Sequence, residues 1–249
     1  MSKAAEQTYL EKLGAAGRQH SKEKPFSDPG RGLSLASIGA IFTLLPPPPA
    51  RLLDLGCGGG WTSVFFAKSG YDVVGQDISL DMISLSEENR AATALRSLSF
   101  VQSDYESLNF REEFDCAVFF DSLHHAVDEA AAIRSAFNAL KPGGVLITHE
   151  PGEGHATTPA SIEAMERYGV TERDMPPYLI IRRGREAGFG ESAVFPMPHE
   201  LNPLFYQGER PDLFSRAGLE RARHLLRLAF NRTPDLKTGA IVRLVKPRR

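Results

Sequence analysis

Glycines, acids and histidines recur at the ends of apolar runs in this chain, and each type offers different chemistry there. Leu52-Leu53-Asp54-Leu55-Gly56-Cys57-Gly58-Gly59-Gly60-Trp61 passes from a buried-strand pattern through a tight glycine turn into a helical start. Glycines let a backbone approach a ligand with no Cβ in the way, and the N–H groups at the following helix start favour a carboxylate or phosphate. A dinucleotide turn calls for Gly or Ala three residues beyond Gly58, and Trp61 stands there. Asp54, just before the turn, would repel a pyrophosphate, so NAD and FAD are disfavoured. Asp77 ends the next apolar run, Val73-Val74-Gly75-Gln76-Asp77, where an acid accepts hydrogen bonds from ribose hydroxyls. Asp104 and Tyr105 follow a third run, Phe100-Val101-Gln102-Ser103.

His124 and His125 follow Phe119-Phe120-Asp121-Ser122-Leu123, and His149-Glu150 follows Val145-Leu146-Ile147-Thr148. Histidine titrates near neutrality, so His124, His125, His149 and Glu150 are candidates for a general base acting on a hydroxyl nucleophile. The competing readings are a helix cap or pocket wall for the first pair and a solvated loop for the second, with His155. His149 and His155 are separated by Pro151, Gly152 and Gly154, so they cannot share a helix face as a zinc-protease pair does, and no metal site is expected.

These groups need elements to position them. Strand-like runs at Leu52–Leu55, Asp72–Gln76, Ser99–Gln102, Phe114–Phe120, Val145–Thr148, Ala193–Met197 and Ala240–Val245 alternate with helical patterns at Trp61–Ser69, Leu80–Leu95 and Val127–Leu140. That alternation predicts an α/β fold with a doubly wound, mostly parallel sheet. Ser79 is placed to cap the second helix, and Gly70 and Gly143 punctuate the ends of the first and third. Residues 1–49 read as a helical cap ending in the stiff linker Pro46–Pro49, and residues 50–249 as the core. Residues 151–188 and 200–238 read as insertions that build an acceptor site. The first contains a helical pattern at Ser161–Tyr168 and a breaker at Pro176-Pro177; the second contains a helix at Asp212–Phe230.

Leu52-Leu53-Asp54-Leu55-Gly56-Cys57-Gly58-Gly59-Gly60, the two downstream acids, the Phe119–Ala126 stretch and the turn Leu140-Lys141-Pro142-Gly143-Gly144 together resemble the motifs of class I, seven-stranded S-adenosylmethionine-dependent methyltransferases. The resemblance covers roughly residues 50–150 and implies that fold, that activity and that cofactor, with S-adenosylhomocysteine as product. It implies that Asp54, Gly56 and Gly58 hold the methionine end, with Cys57 in the same cofactor turn, Gly60 opening the helix and Asp77 on the ribose. Asp104 then reads the adenine between Ile78 and Tyr105, and Asp121 closes the cofactor set. Methyl transfer is an in-line displacement helped chiefly by positioning. The expected reaction is O-methylation of a small or medium-sized acceptor; a catalytically silent cofactor-binding module is the alternative. Asp174-Met175-Pro176-Pro177-Tyr178 is similar to the Pro-Pro-Tyr motif of amino-group DNA methyltransferases. It stands after the wrong strand, with Met175 before the prolines, so nucleic acid is not the expected substrate. The expected aromatic area for an acceptor comes from Phe189, Phe195, Phe205, Tyr206 and Phe214.

Composition limits the alternatives. The chain has 249 residues, 42% hydrophobic and 24% charged, enough for one substantial core. No run is long and apolar enough for a membrane span, and the first residues lack a secretory pattern. Cys57 and Cys116 are the only cysteines, which points to a reducing, cytoplasmic setting. Residues 209–249 carry eleven Lys/Arg against four Asp/Glu, leaving the rest acidic. The basic region could draw an acidic partner, or it could be a solvated helix face.

Overall fold

A computed structural model describes residues 3–206, 212, 214–230 and 237–248. The chain opens with helices α1 (Lys3–Gln7), α2 (Tyr9–Glu23) and α3 (Arg31–Leu44). It then alternates β1 (Arg51–Leu55), α4 (Trp61–Lys68), β2 (Asp72–Asp77), α5 (Leu80–Thr93), β3 (Leu98–Gln102), β4 (Phe114–Phe120), α6 (Glu129–Ala139) and β5 (Leu140–Glu150). After these come α7 (Pro159–Tyr168), α8 (Pro177–Ala187), β6 (Glu191–Pro196), α9 (Pro198–Phe205), α10 (Arg216–Phe230) and β7 (Ala240–Val245).

The strands form one sheet in the order β3-β2-β1-β4-β5-β7-β6, parallel from β3 to β5, with β7 antiparallel between β5 and β6. Buried strands alternate their side chains between two apolar cores. Leu52, Cys116, Val118 and Ile241 pack with Ile38 and Ile41 of α3 and Phe66 of α4, whereas Leu53, Ala117, Phe119 and Val242 pack with Ile133 of α6 and Ile180 of α8. Strand order reverses between β1 and β4, and a crevice outside the carboxyl ends there is where open α/β sheets take ligands.

All seven predicted strands form, and the predicted Ser79 cap accepts the Met82 N–H at the start of α5. Pro176-Pro177, read as a breaker, instead starts α8: Pro177 occupies the first turn, where a missing N–H costs nothing, and Ile180 and Ile181 are buried beyond it. Pro198 starts α9 in the same way. In the insertion 200–238, residues 207–211, 213 and 231–236 lie outside the described residues; the helix expected at Asp212–Phe230 starts at Arg216, as α10, because Asp212 forms a turn instead, accepting the Phe214 N–H on Oδ1 and the Ser215 N–H on its carbonyl. Arg216 there is exposed and pairs with Glu220 one turn on, which fits a solvated face. Among the described residues no helix is long and apolar enough to cross a membrane.

Candidate cofactor and acceptor site

A cavity of about 330 Å³ opens at the reversal point between β1 and β4. Its walls join the glycine turn (Gly56, Cys57, Gly58), Asp77 and Ile78 at the end of β2, Asp104 and Tyr105 after β3, and Asp121 and His125 after β4. Lys3, Glu6 and Tyr9 from the first two helices close one side, and Val170 and Glu172 from the segment between α7 and α8 close another.

The turn is built around two carboxylates. Asp77 Oδ2 accepts the Gly58 N–H at 2.9 Å and Oδ1 accepts the Ser79 N–H at 2.9 Å. Each oxygen keeps a further lone pair for a ligand hydroxyl. Burial raises the Asp77 pKa, and the N–H bonds from Ser79, Gly58 and Ile78 offset part of that rise. Asp54 differs from its expected role. It is buried beneath the turn, and its Oδ2 accepts the hydroxyls of Thr62 at 2.6 Å and Ser63 at 2.5 Å, so it anchors the first turn of α4 instead of lining the cavity. Burial lifts its carboxyl to about 6 against those two bonds. Gly60, at φ +79°, is likewise buried, facing Phe100 and Ser86. Burial pushes the Cys57 thiol well above its ordinary value, which leaves it inert as a nucleophile.

Asp104 Oδ2 is met by Lys3 Nζ at 2.6 Å, and its Oδ1 accepts the Glu106 N–H at 2.9 Å. The Tyr105 hydroxyl donates to Ser122 O at 3.1 Å, and its ring meets Phe119 edge-on. Trp61, which argued against a dinucleotide, lies in the cavity wall with its ring edge-on to Phe120.

The four candidate bases part company. Glu150 is fully buried; it accepts the N–H groups of Ser122 at 3.1 Å, Leu123 at 2.7 Å and His124 at 3.2 Å, and its Oε2 lies 2.7 Å from His124 Nδ1. It therefore shapes the loop after β4 and does not reach the cavity wall. His124 is buried with it. Burial pulls His124 down, but the Glu150 charge and hydrogen bond outweigh this and the ring ends above its ordinary value. His149 stacks on Phe120 and has both ring nitrogens engaged, with Asp121 Oδ1 at 2.9 Å and Ser37 Oγ at 3.0 Å. Its pKa is lowered by burial and raised by more through Asp121. His125 alone of the four lines the cavity; its Nδ1 donates to Thr171 O at 2.6 Å, and burial and then His124 lower its pKa.

Asp121 has a left-handed backbone, φ +48°, which asparagine and aspartate tolerate better than other side chains. That conformation turns the chain at the end of β4 and places the carboxylate in the cavity.

Glu6 and Glu172 have no motif to announce them. The Glu6 Oε1 accepts the Thr171 N–H at 2.6 Å. Burial is the main reason its carboxyl is raised to about 7; the Thr171 bond opposes this, and Glu172 and Asp77 add to it. Glu172 contacts His155 Nε2 at 2.7 Å. Among the described residues of 200–238 none lines the cavity. Phe189 is core, Tyr206 and Phe214 are exposed, and Phe195 packs partly buried against the sheet core, so the expected aromatic acceptor wall does not form from them. The Phe205 side chain lies outside what is described.

Residues 53–148 match the family described as "Methyltransferase domain". A ubiquinone biosynthesis O-methyltransferase from Xanthomonas campestris pv. campestris is 32% identical over 149 residues, 56% of this chain and 59% of that protein. The chain thus spans about three-fifths of that relative's length. Phosphoethanolamine N-methyltransferase 2 of Haemonchus contortus, solved in complex with S-adenosyl-L-methionine, shares the fold with a TM-score of 0.70 at 20% identity, over 100% of this chain and 60% of that one. The [4+2]-cyclase SpnF shares it with a TM-score of 0.58 at 20% identity, over 88% of this chain and 82% of that one. With the sheet order, the glycine turn and the acids at the ends of β2 and β3 in place, residues 53–148 match a methyltransferase domain and carry the class I, S-adenosylmethionine-dependent methyltransferase fold.

Proposed function

We propose that this protein transfers the methyl group of S-adenosylmethionine to an oxygen of a small or medium-sized acceptor. The observation that carries the reading is the charge of the cavity. Among the described residues its wall holds seven carboxylates (Glu6, Asp28, Asp77, Asp104, Glu106, Asp121, Glu172) against Lys3 and Lys24. Such a wall suits a sulfonium cation and repels phosphates, which disfavours NAD and nucleic acid alike. The fold alone supports less, since a [4+2]-cyclase shares it.

S-adenosylmethionine, when bound, supplies a methyl group on a positively charged sulfur. The Gly56–Gly58 turn would take its methionine end, Asp77 the ribose hydroxyls, and Asp104 the adenine amino group between Ile78 and Tyr105. Asp54 and Gly60 support this set from below by fixing the start of α4. Val170, Glu172, His125 and Glu6 wall the end left for the acceptor. A carboxyl held near 7 is matched to accepting a hydroxyl proton at neutral pH, which makes Glu6 the residue to receive it as the oxygen attacks. The name of the Xanthomonas relative supports oxygen as the atom methylated.

The test is a labelled-methyl transfer screen across phenol, quinone, sugar and polyketide pools, run beside calorimetry with S-adenosylhomocysteine. Label in an O-methyl product is the expected result. Absence of measurable affinity for S-adenosylhomocysteine overturns the reading.

A further inference from the structure

His125 and Glu172 line the cavity, and with His124 buried behind them each brings one ligand atom to within 4.8 Å of the other two. The point between three atoms so placed is at most about 2.8 Å from each, and zinc-type cations bind imidazole nitrogen and carboxylate oxygen at about 2.0–2.2 Å, so a closure of at most about 0.8 Å brings these three to ligand distance. His155 stands beside them, its Nε2 2.7 Å from Glu172 Oε2 and its ring 4.8 Å from that of His124.

The surroundings are those of ligating imidazoles. His124 Nδ1 is fixed by Glu150 at 2.7 Å, which turns its Nε2 toward Glu172, and the His125 ring is held by Thr171 O at 2.6 Å with its Nδ1 4.0 Å from Glu172 Oε1. His124 Nε2 lies 3.7 Å from Glu172 Oε2. An oxygen acceptor on one nitrogen orients the ring and strengthens the other as a ligand. Three imidazoles around one carboxylate also exceed what an ion pair uses.

We propose that His124, His125, His155 and Glu172 bind one borderline first-row divalent cation, with Zn²⁺ as the representative, at the acceptor end of the cavity. Imidazole-rich sites prefer such ions to Mg²⁺ or Ca²⁺. A cation there acts as a Lewis acid toward an acceptor hydroxyl, whose proton passes to Glu6. That role rests on the oxygen-acceptor reading; the binding itself does not.

The experiment is calorimetric titration of chelator-treated full-length protein with Zn²⁺, and with Co²⁺ followed by visible d–d absorption, without acceptor. The expected result is one ion per chain, with affinity falling at least tenfold in Glu172→Gln and His125→Gln and unchanged in the exposed control His199→Gln. Both test substitutions keep side-chain bulk, so melting curves like the wild type's are expected with them. Affinity retained in both, or no Co²⁺ band, overturns the proposal. S-adenosylhomocysteine is titrated into the same samples, so its binding with no Zn²⁺ uptake separates this failure from that of the methyltransferase reading.

Discussion

Glu6 and His125 hold opposite ends of one residue: the Thr171 N–H donates to Glu6 Oε1 at 2.6 Å, and the Thr171 carbonyl accepts from His125 Nδ1 at 2.6 Å. Helix α1, the loop after β4 and the segment before α8 therefore meet at a single residue, at the end of the cavity assigned to the acceptor.

Glu6 ties that junction to pH. Its folded pKa, about 7, stands above the ordinary 4.5, so the protonated carboxyl is the form the fold favours. The stability this gives is complete below about 4.5 and is lost as pH rises through 7. Thr171 N–H, Glu172, Asp77 and His124 are the groups that set the value. Glu6→Gln, which cannot ionise, is expected to gain stability relative to wild type between pH 5 and pH 8. The ceiling is roughly 3 kcal/mol, reduced by solvent in the cavity. Urea denaturation at the two pH values measures it, and a wild-type–variant difference that does not change with pH removes Glu6 from this role. In the transfer assay the same variant should lose the kcat/KM limb near pH 7.

Gly58 and Gly60 separate ligand contact from folding. Both have positive φ, +53° and +79°. A Cβ on Gly58 meets nothing within 4 Å, whereas one on Gly60 falls 2.7 Å from Phe100 Cζ and 2.8 Å from Ser86 Cβ. Gly60→Ala should cost about 2–5 kcal/mol through strain and overpacking. Gly58→Ala should cost about 1–2 kcal/mol while weakening S-adenosylhomocysteine at least tenfold. Melting and calorimetry on the pair decide; equal affinity in Gly58→Ala and wild type would remove the turn from the cofactor site.

Asp77→Ala should also weaken S-adenosylhomocysteine, by tenfold or more, because the acceptor for the ribose hydroxyls is gone. The change additionally leaves the N–H groups of Gly58 and Ser79 without their carboxylate, so a lower Tm accompanies it. Asp77→Asn retains one acceptor oxygen and is expected to fall between the two in calorimetry.

Glu150→Ala should be the most damaging single change near the site. It strips three backbone N–H groups and His124 of their shared acceptor in the buried layer under the cavity. Breaking a buried charged network costs about 3–5 kcal/mol, or roughly 6–20 °C in Tm for a chain of this size. A thermal scan within 2 °C of wild type would reduce Glu150 to a surface-like role.

The amino-acid sequence by itself determined the α/β alternation, the strand positions, the glycine turn and the acids Asp77 and Asp104. Each of those is local: a strand's apolar run, a turn's glycines and an acid at a strand end are written within a few neighbouring residues. Only the tertiary structure decided which candidates face the cavity. Asp54 and Gly60 sit in the turn's own motif yet lie beneath it, because the chain's path, and not its order, sets which side of a turn meets solvent. His124, His149 and Glu150 turned out buried, His124 held by Glu150 and His149 by Asp121 and Ser37, leaving His125 in the wall. The expectation of no metal rested on the spacing of His149 and His155, while the cluster His124, His125, His155 and Glu172 is assembled from three separate loops that no spacing rule joins. Glu6 is decided the same way: it becomes part of the site only because α1 folds back across the sheet's carboxyl edge, and its raised pKa comes from burial that exists in no stretch of sequence.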